Sequence, residues 1–111
     1  MKIQFSTTKM QKACCSEREM AKEWGAAVAK KLKLRLAQLE AAATLADIAQ
    51  MPGARCHELA HERKGQLAVD LAHPHRLIFV PDHDPVPRKP DGGLDWSQVT
   101  CILILEIVDY H

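Results

Sequence analysis

Three side chains that can exchange or share a proton, Asp109, Tyr110 and His111, follow directly after the apolar run "CILILEIV". A carboxylate, a phenol and an imidazole together offer a base, a hydrogen-bond donor and a group that titrates near neutrality. The last residues of a domain usually fray, but a strand with neighbours on both sides would present these groups from a rigid edge. We therefore expect acid–base chemistry at the end of the last strand.

A second group of candidates is "HELAH", from His57 to His61, which fits the H-E-x-x-H pattern of zinc proteases. In that pattern two imidazoles on one helix face bind zinc, and the glutamate polarises a bound water. The flanking segments "PGAR" and "RKGQ" leave no room for a long helix, and no third ligand follows at a set spacing. Another role for His57 is therefore favoured, and a zinc protease using His57, Glu58 and His61 is the alternative.

The length of 111 residues predicts a single domain, residues 1–111, with one modest core. A hydrophobic fraction of 47% with 26% charged residues is typical of a globular protein and excludes a disordered chain. The N-terminus has no apolar signal segment, and the longest apolar run contains Glu106, so we expect a cytoplasmic protein with no membrane partner. The four cysteines form no CxxC pair, which predicts structural thiols without disulfides or a thiolate zinc site.

Charge is distributed unevenly behind a formal net charge of +1. Residues 1–40 contain nine Lys or Arg against four acids, whereas residues 67–111 contain three against seven. The basic half could face a polyanion. On charge alone, however, a solvated helix face is the favoured interpretation.

The first half of the chain predicts one strand followed by helices. "KIQF" has the composition of a short strand, and Ser16 with Glu19 three residues later predicts a capping box that starts a helix. Gly25 is expected to kink or divide this helix. Beyond it, apolar and basic residues alternate at helical spacing, which predicts a helix that is apolar inward and basic outward. The apolar positions are Val28, Leu32, Leu36 and Leu39, and the basic positions are Lys30, Lys31, Lys33 and Arg35.

The second half predicts strands. The alternation in "GQLAVDL" is the period-2 pattern of a strand with one buried face, "AHPH" predicts a turn, and "RLIFV" predicts a second strand. The apolar run in "VTCILILEIV" predicts a central strand with both faces covered. Residues 81–97 contain four prolines and predict a long exposed loop. Together these elements predict an α+β domain, with helices packed on an antiparallel-rich sheet.

The order of these segments resembles the HigB-type branch of the RelE toxin family, in the RelE/ParE superfamily. The resemblance is carried by "CHELAHERKGQLAVDL", "HRLIF" and "EIVDYH", and is most specific in the Asp-Tyr-His that follows an apolar strand. It implies a RelE-like fold, with an N-terminal strand and two helices packed on an antiparallel-rich sheet of four to five strands. It also implies the toxin of a type II toxin–antitoxin system, a ribosome-associated endoribonuclease that cuts mRNA with no metal or other cofactor.

The resemblance implies a role for each part of the site. Attack of a 2′-hydroxyl on the adjacent phosphate needs a base, an acid and cations near the phosphate. The implied catalytic residues are His57, Asp109, Tyr110 and His111, and Tyr110 could also stack on an RNA base. The implied phosphate-binding residues are Arg63, Lys64 and Arg76. The implied ribosome contact is the basic helix face of Lys30, Lys31, Lys33 and Arg35.

The expected partners follow from the same resemblance. An antitoxin, expected to be a helix-turn-helix protein encoded nearby, would hold the toxin inactive, and mRNA and the ribosome are the other partners. A non-enzymatic alternative stays open, in which the chain keeps the fold and serves only as a binding or regulatory partner.

Overall fold

One sheet organises the molecule. The computed structural model describes residues 1–109, in which five strands lie in the order β1-β5-β4-β3-β2. The strands are β1 (Lys2–Phe5), β2 (His57–Glu58), β3 (Leu67–Asp70), β4 (His75–Pro81) and β5 (Cys101–Asp109). β1 pairs parallel with β5, and all other neighbours pair antiparallel. The predicted α+β class with an antiparallel-rich sheet is confirmed, and β5 has a neighbour on each side as expected.

Helices connect β1 to β2, four of them within residues 1–109, where the sequence predicts two helices and a short helical turn at "TLAD". They are α1 (Thr8–Cys14), α2 (Glu17–Trp24), α3 (Ala26–Ala41) and α4 (Leu45–Ala49). The Ser16 hydroxyl accepts from the Glu19 N–H at 3.1 Å, so the predicted cap starts α2, and Gly25 divides α2 from α3. The sequence analysis missed α1, which is capped by Thr7. In this part of the chain no helix combines the length and the apolar character needed to cross a membrane.

The core lies between the helices and one face of the sheet. Leu32 and Leu39 of α3 are buried with Leu77 and Phe79 of β4 and Ile104 of β5, and none of these side chains is more than 1% exposed. The alternation of side chains along the strands sends the residues between them to the opposite face. We call that opposite side, on which Ala68, Asp70, Arg76, Ile78, Leu103 and Glu106 lie, the open face.

The open face is covered in part. Ala68 and Ile78 are fully buried on it, so β3 is covered on both faces and the one-sided burial predicted for it is wrong. The cause is the segment between β2 and β3, because its Arg63 reaches across this face to Glu106 of β5. On β5, Leu103 is only half-buried, so the prediction that both faces of this strand are covered is also wrong.

The long loop after β4 is mostly exposed, as predicted, but it is tied to the sheet. Leu94 is buried at 6% exposure and forms a backbone bridge with Arg88. At the start of β5, Nε2 of His83 accepts hydrogen bonds from the backbone N–H groups of Thr100 and Cys101, at 3.1 and 3.3 Å. The loop therefore has a defined path to β5.

Arg35 is buried, and its predicted place on the basic outward face of α3 is wrong. The side chain is 5% exposed, because it lies three residues after Leu32 and four before Leu39, on the buried side of the helix. Its three hydrogen bonds to other residues of the range 1–109 have normal lengths. Nε donates to the Asp70 carbonyl at 2.8 Å, Nη2 to the Gly53 carbonyl at 2.9 Å, and Nη1 to Oε1 of Gln38 at 3.0 Å.

All four cysteines are free thiols, and of these Cys14 is buried whereas Cys15 is exposed. Burial raises the pKa of Cys14 to about 11 and that of Cys56 to about 12. The nearby charge of Cys15 adds a smaller contribution for the first pKa, and that of Glu58 for the second. Both thiols therefore stay protonated near neutrality.

Replacing Arg35 by Met is expected to destabilise the fold. The methionine fills part of the same space but leaves buried carbonyl groups without a donor, so the free energy of unfolding falls by about 3 kcal/mol. Urea unfolding followed by circular dichroism measures the change. Lys31→Met, on the exposed side of the same helix, is the control and is expected to change stability by less than about 0.5 kcal/mol. Equal stability of the two variants would contradict the role given to Arg35.

Cys56 is expected to resist alkylation while the protein is folded. A pKa of about 12 in place of 9.0 lowers the thiolate fraction at pH 8 roughly a thousandfold. Iodoacetamide at pH 8 should therefore modify the exposed Cys15 long before Cys56, and peptide mapping after timed quenching measures both rates. Denatured protein, in which the two thiols should react alike, is the control.

The same pKa shift links Cys56 to stability. Because the folded-state pKa is raised, the stabilisation by the neutral thiol is complete below the unfolded pKa and is lost as the pH rises from about 9 towards about 12. Similar alkylation rates for Cys15 and Cys56 in the folded protein would count against this burial.

Candidate active site

Arg76 lies near the start of β4, where the hairpin of β3 and β4 meets the end of β5. In the sheet it pairs with Asp70 on one side and Val108 on the other. Its Nε lies 3.3 Å from Oδ1 of Asp70, and the two side chains are 27% and 21% exposed. The register therefore places a half-buried ion pair on the open face.

Asp70 also holds a second guanidinium. Nε of Arg55 lies 3.4 Å from Oδ2, so the carboxylate is placed between two arginines. Within the described residues Oδ1 has no hydrogen bond although Arg76 is close, which makes that pairing a charge contact without an aligned N–H. We call Arg55, Asp70 and Arg76 the arginine cluster. Two cations against one carboxylate give it a net positive charge that suits an anion.

The loop before β2 presents Arg55 in a fixed conformation. Three consecutive carbonyl groups of this loop accept hydrogen bonds from other parts of the chain. The Gly53 carbonyl accepts from Nη2 of Arg35 at 2.9 Å, the Ala54 carbonyl from the Asp70 N–H at 2.8 Å, and the Arg55 carbonyl from Nδ1 of His57 at 2.7 Å. The φ of Arg55 is +47°, in the left-handed region that residues other than glycine seldom occupy. Such conformations persist where the surroundings fix them, and they are frequent at functional sites.

A pocket of about 150 Å³ opens beside the arginine cluster. Besides the cluster itself, its polar lining consists of His73 and His75. Nδ1 of His75 is buried and has no hydrogen-bond partner among residues 1–109. Guanidinium and imidazole groups can donate hydrogen bonds, so the pocket is suited to a ligand rich in acceptors.

Arg76 also lines an open groove of about 460 Å³, together with residues 59–63. Arg63 is oriented there by two hydrogen bonds, from Nη1 to Oε1 of Gln66 at 2.9 Å and from Nη2 to Oε1 of Glu106 at 2.7 Å. Two of the three cations predicted to hold phosphate, Arg63 and Arg76, therefore line the same groove.

The end of β5 lies beside the arginine cluster. Asp109 pairs in the sheet with His75, the residue before Arg76, and its side chain is exposed. The other two predicted catalytic residues of this segment, Tyr110 and His111, lie outside the described residues. Of the terminal Asp-Tyr-His, the structure thus places Asp109, and places it one residue pair from Arg76.

His57 lies on the short edge strand β2, well away from Asp109. A row of paired residues leads from His57 through Ala68 and Ile78 to Glu106, three strands away. With strands about 4.8 Å apart and three more residues along β5, the two Cα atoms are on the order of 17 Å apart. A base and an acid that act on one phosphate must both reach it by hydrogen bonds or through one water. The structure does not bring His57 and Asp109 to one reacting group.

The hydrogen bond of His57 defines which of its nitrogens could take a proton. A carbonyl oxygen only accepts, so Nδ1 carries the hydrogen in the bond to Arg55. The lone pair of the neutral ring is therefore on Nε2. His57 supports the backbone of the loop that carries Arg55 and keeps one basic nitrogen.

The zinc-protease interpretation required His57 and His61 on one helix face, and this placement is wrong. His57 and Glu58 form a strand, and His61 begins a short 3-10 turn, His61–Arg63, with a φ of +57°. In the part of the chain that the structure describes, no group of three or more His, Cys, Asp or Glu is placed to hold a metal ion.

The other predicted cations are exposed. Lys64 ends the 3-10 turn next to Arg63, at the edge of the groove. On α3, Lys30, Lys31 and Lys33 face solvent, and Nζ of Lys33 lies 3.1 Å from Oε2 of Glu17. The basic face of α3 is thus made by lysines alone.

The sequence analysis did not identify Arg55 and Asp70 as site residues, and it assigned His75 only to a turn. A signal for the pair existed, because a hairpin symmetric about His73 places residue 70 opposite Arg76. No comparable signal marked Arg55, which joins the cluster through the path of its loop.

Comparison with known proteins bears on the fold. No family model matches the sequence, and no curated protein matches it. Among solved structures, the chain is similar to a chain of the YoeB–YefM complex from Staphylococcus aureus, with a TM-score of 0.56 and 16% sequence identity. The match covers 100% of this chain and 97% of that one. The likeness, over the whole length, confirms that this chain has the RelE-like fold predicted from its sequence.

Proposed function

We propose that this chain is the toxin of a type II toxin–antitoxin system, an endoribonuclease that cuts mRNA on the ribosome. The observation that carries the proposal is the arginine cluster beside the end of β5, the strand that leads into Asp109, Tyr110 and His111. We expect this arrangement to bring cations for a phosphate close to groups that exchange protons. The similarity to a chain of the YoeB–YefM complex supports a partner protein as well.

The proposed reaction is an internal transfer at one phosphate of the RNA. The 2′-oxygen bonds to the adjacent phosphorus, the bond from phosphorus to the 5′-oxygen breaks, and a cyclic phosphate and a 5′-hydroxyl are left. A base takes the proton of the 2′-hydroxyl and an acid supplies one to the leaving 5′-oxygen. We assign these transfers to Asp109, Tyr110 and His111, and the stabilisation of phosphate charge to Arg63 and Arg76.

Two further roles complete the proposal. His57, which holds the Arg55 carbonyl, is a positioning residue, because its distance from Asp109 separates it from the reacting phosphate. Lys64, exposed at the edge of the groove, is an additional cation for the RNA backbone. The partner that holds the toxin inactive is an antitoxin, expected to be a helix-turn-helix protein encoded nearby.

Arg76→Ala and Asp109→Ala are each expected to abolish message cutting in cells that express the protein. Loss of a group that stabilises transition-state charge lowers rates by about 100- to 1,000-fold, and loss of a group that transfers a proton lowers them by about 100- to 10,000-fold. Primer extension on cellular mRNA after induction measures the cuts. Arg88→Ala is the control, since this arginine lies on the exposed loop and should cut like wild type. Equal cutting by Arg76→Ala and Arg88→Ala would contradict the proposal.

The same experiment separates two roles for His57. Asn at this position keeps an N–H donor for the Arg55 carbonyl but exchanges no proton near neutrality. As a positioning residue, His57→Asn retains cutting and His57→Ala loses most of it. Loss of cutting in both variants, with normal circular dichroism, would make the imidazole part of the chemistry.

The same variants test the non-enzymatic alternative. If wild type leaves messages intact, and the His57 variants bind the antitoxin as tightly as wild type does, the binding role is favoured.

Reversing the charges of Lys30 and Lys31 to Glu is expected to weaken ribosome association. Both side chains are exposed on α3, so the fold should be unchanged while the electrostatic attraction to ribosomal RNA falls. Co-sedimentation with ribosomes at low salt measures the effect, and the double variant Arg88→Glu with Lys89→Glu, in the exposed long loop, is the charge-matched control. Unchanged co-sedimentation of the Lys30 and Lys31 double variant would remove α3 from the ribosome contact.

A further inference from the structure

The arginine cluster contains a cation, Arg55, that no feature of the sequence marked as functional. Its side chain is 68% exposed, so solvent and ligands reach it, while its Nε stays 3.4 Å from Oδ2 of Asp70. An exposed arginine is ordinarily mobile and contributes little to a defined site. Here the backbone around it is held at three consecutive carbonyl groups, and its φ of +47° is one that a side-chain-bearing residue rarely adopts.

The geometry of the cluster leaves hydrogen-bonding capacity at Arg55. Asp70 is contacted through Nε, whereas the two Nη amino groups of a guanidinium form the outer part of its fork. That planar fork matches two oxygens of a phosphate or a carboxylate. Since Arg76 contacts the same carboxylate through its own Nε, Asp70 keeps the two guanidiniums next to each other.

The pocket beside the cluster indicates the class of ligand. Its volume of about 150 Å³ is small, and its lining is mostly polar, with two arginines, two histidines and Asp70 beside Leu71 and Pro74. Apolar ligands would gain little in such a lining, whereas a phosphate accepts hydrogen bonds on all of its oxygens. Arg76 lines both this pocket and the groove of Arg63, so an RNA backbone that follows the groove would pass the pocket next.

We propose that Arg55, placed beside Arg76 by Asp70, binds the backbone phosphate of single-stranded RNA next to the phosphate that is cut, whose charge Arg76 stabilises. This site rests on the proposed function, and it adds a substrate contact that sets the register of the RNA. Arg55 is a binding residue in this site. Asp70 is a positioning residue, because it acts on the RNA through the two arginines.

Binding of an uncleavable oligonucleotide tests the site without reference to cutting. A fluorescent single-stranded RNA with 2′-O-methyl groups throughout is titrated with protein at several salt concentrations, and anisotropy gives the dissociation constant. Arg55→Gln is expected to weaken binding about tenfold and to make the dependence of log K on log salt shallower by roughly 0.7, one phosphate contact. Arg88→Gln is the matched control and should leave both quantities unchanged.

Two more variants separate charge from geometry. Arg55→Lys keeps the charge, so it should retain the salt dependence of wild type while binding more weakly for lack of the fork. Asp70→Asn keeps both cations but releases them, so it should weaken binding without making the salt dependence shallower. If these residues were only structural, affinity and salt dependence would not change separately from one variant to the other.

The outcomes distinguish this site from the proposed function. If wild type cuts messages but Arg55→Gln binds RNA like Arg88→Gln, the phosphate site is wrong and the nuclease stands. If Arg55→Gln weakens binding while wild type cuts no message, the site stands and the nuclease is wrong. Inorganic phosphate is titrated separately by 31P NMR. Saturable, Arg55-dependent phosphate binding by a protein that binds no RNA would assign the pocket to a free anion and overturn the RNA site.

Discussion

The buried guanidinium of Arg35 is the interaction on which the rest of the site depends. A charged group in the core is unfavourable unless its donors are satisfied, and Arg35 satisfies them with acceptors from α3, from the loop after α4 and from the end of β3. Two of those acceptors are backbone carbonyls of Gly53 and Asp70. Because the same segments carry Arg55 and the Asp70 carboxylate, the helical layer and the arginine cluster on the open face cannot form independently.

A second constraint is the irregular register between β4 and β5. Ile102 and Ile104 face the core, and strict alternation would send Glu106 there too. The register shift opposite Ile78 and Phe79 inserts one extra residue, which turns Glu106 to the open face and Ile107 towards the helices. Glu106 then meets Arg63, and the segment between β2 and β3 is held over the sheet. Without the inserted residue, Glu106 would be buried in the core without a partner. With it, Glu106 orients Arg63.

The sequence predicted the features that depend on local pattern. It missed the features that depend on how distant segments of the chain pack together. The class of fold, the cap of α2, the division at Gly25 and the internal position of β5 follow from spacing and propensity, and all are confirmed. Arg35 was misplaced because basic residues on a helix are usually solvated, whereas only the path of the chain from 53 to 70 supplies the acceptors that bury it. Arg55 was missed for the same reason, since a loop residue joins a site through backbone bonds that no periodicity records.

A carboxylate inside a site for phosphate looks unfavourable, since Asp70 reduces the attraction of the cluster for an anion. A cluster without this carboxylate would be less well defined. Two guanidiniums without a counter-charge would repel each other and turn their exposed parts to solvent. With Asp70 between them, 3.3 and 3.4 Å from their Nε atoms, the two guanidiniums lie beside one carboxylate before a ligand arrives, so less ordering is left to binding. The cluster therefore trades part of its electrostatic affinity for a fixed geometry. For a protein with a formal net charge of +1, the proposed binding of RNA would depend on this local arrangement more than on overall charge.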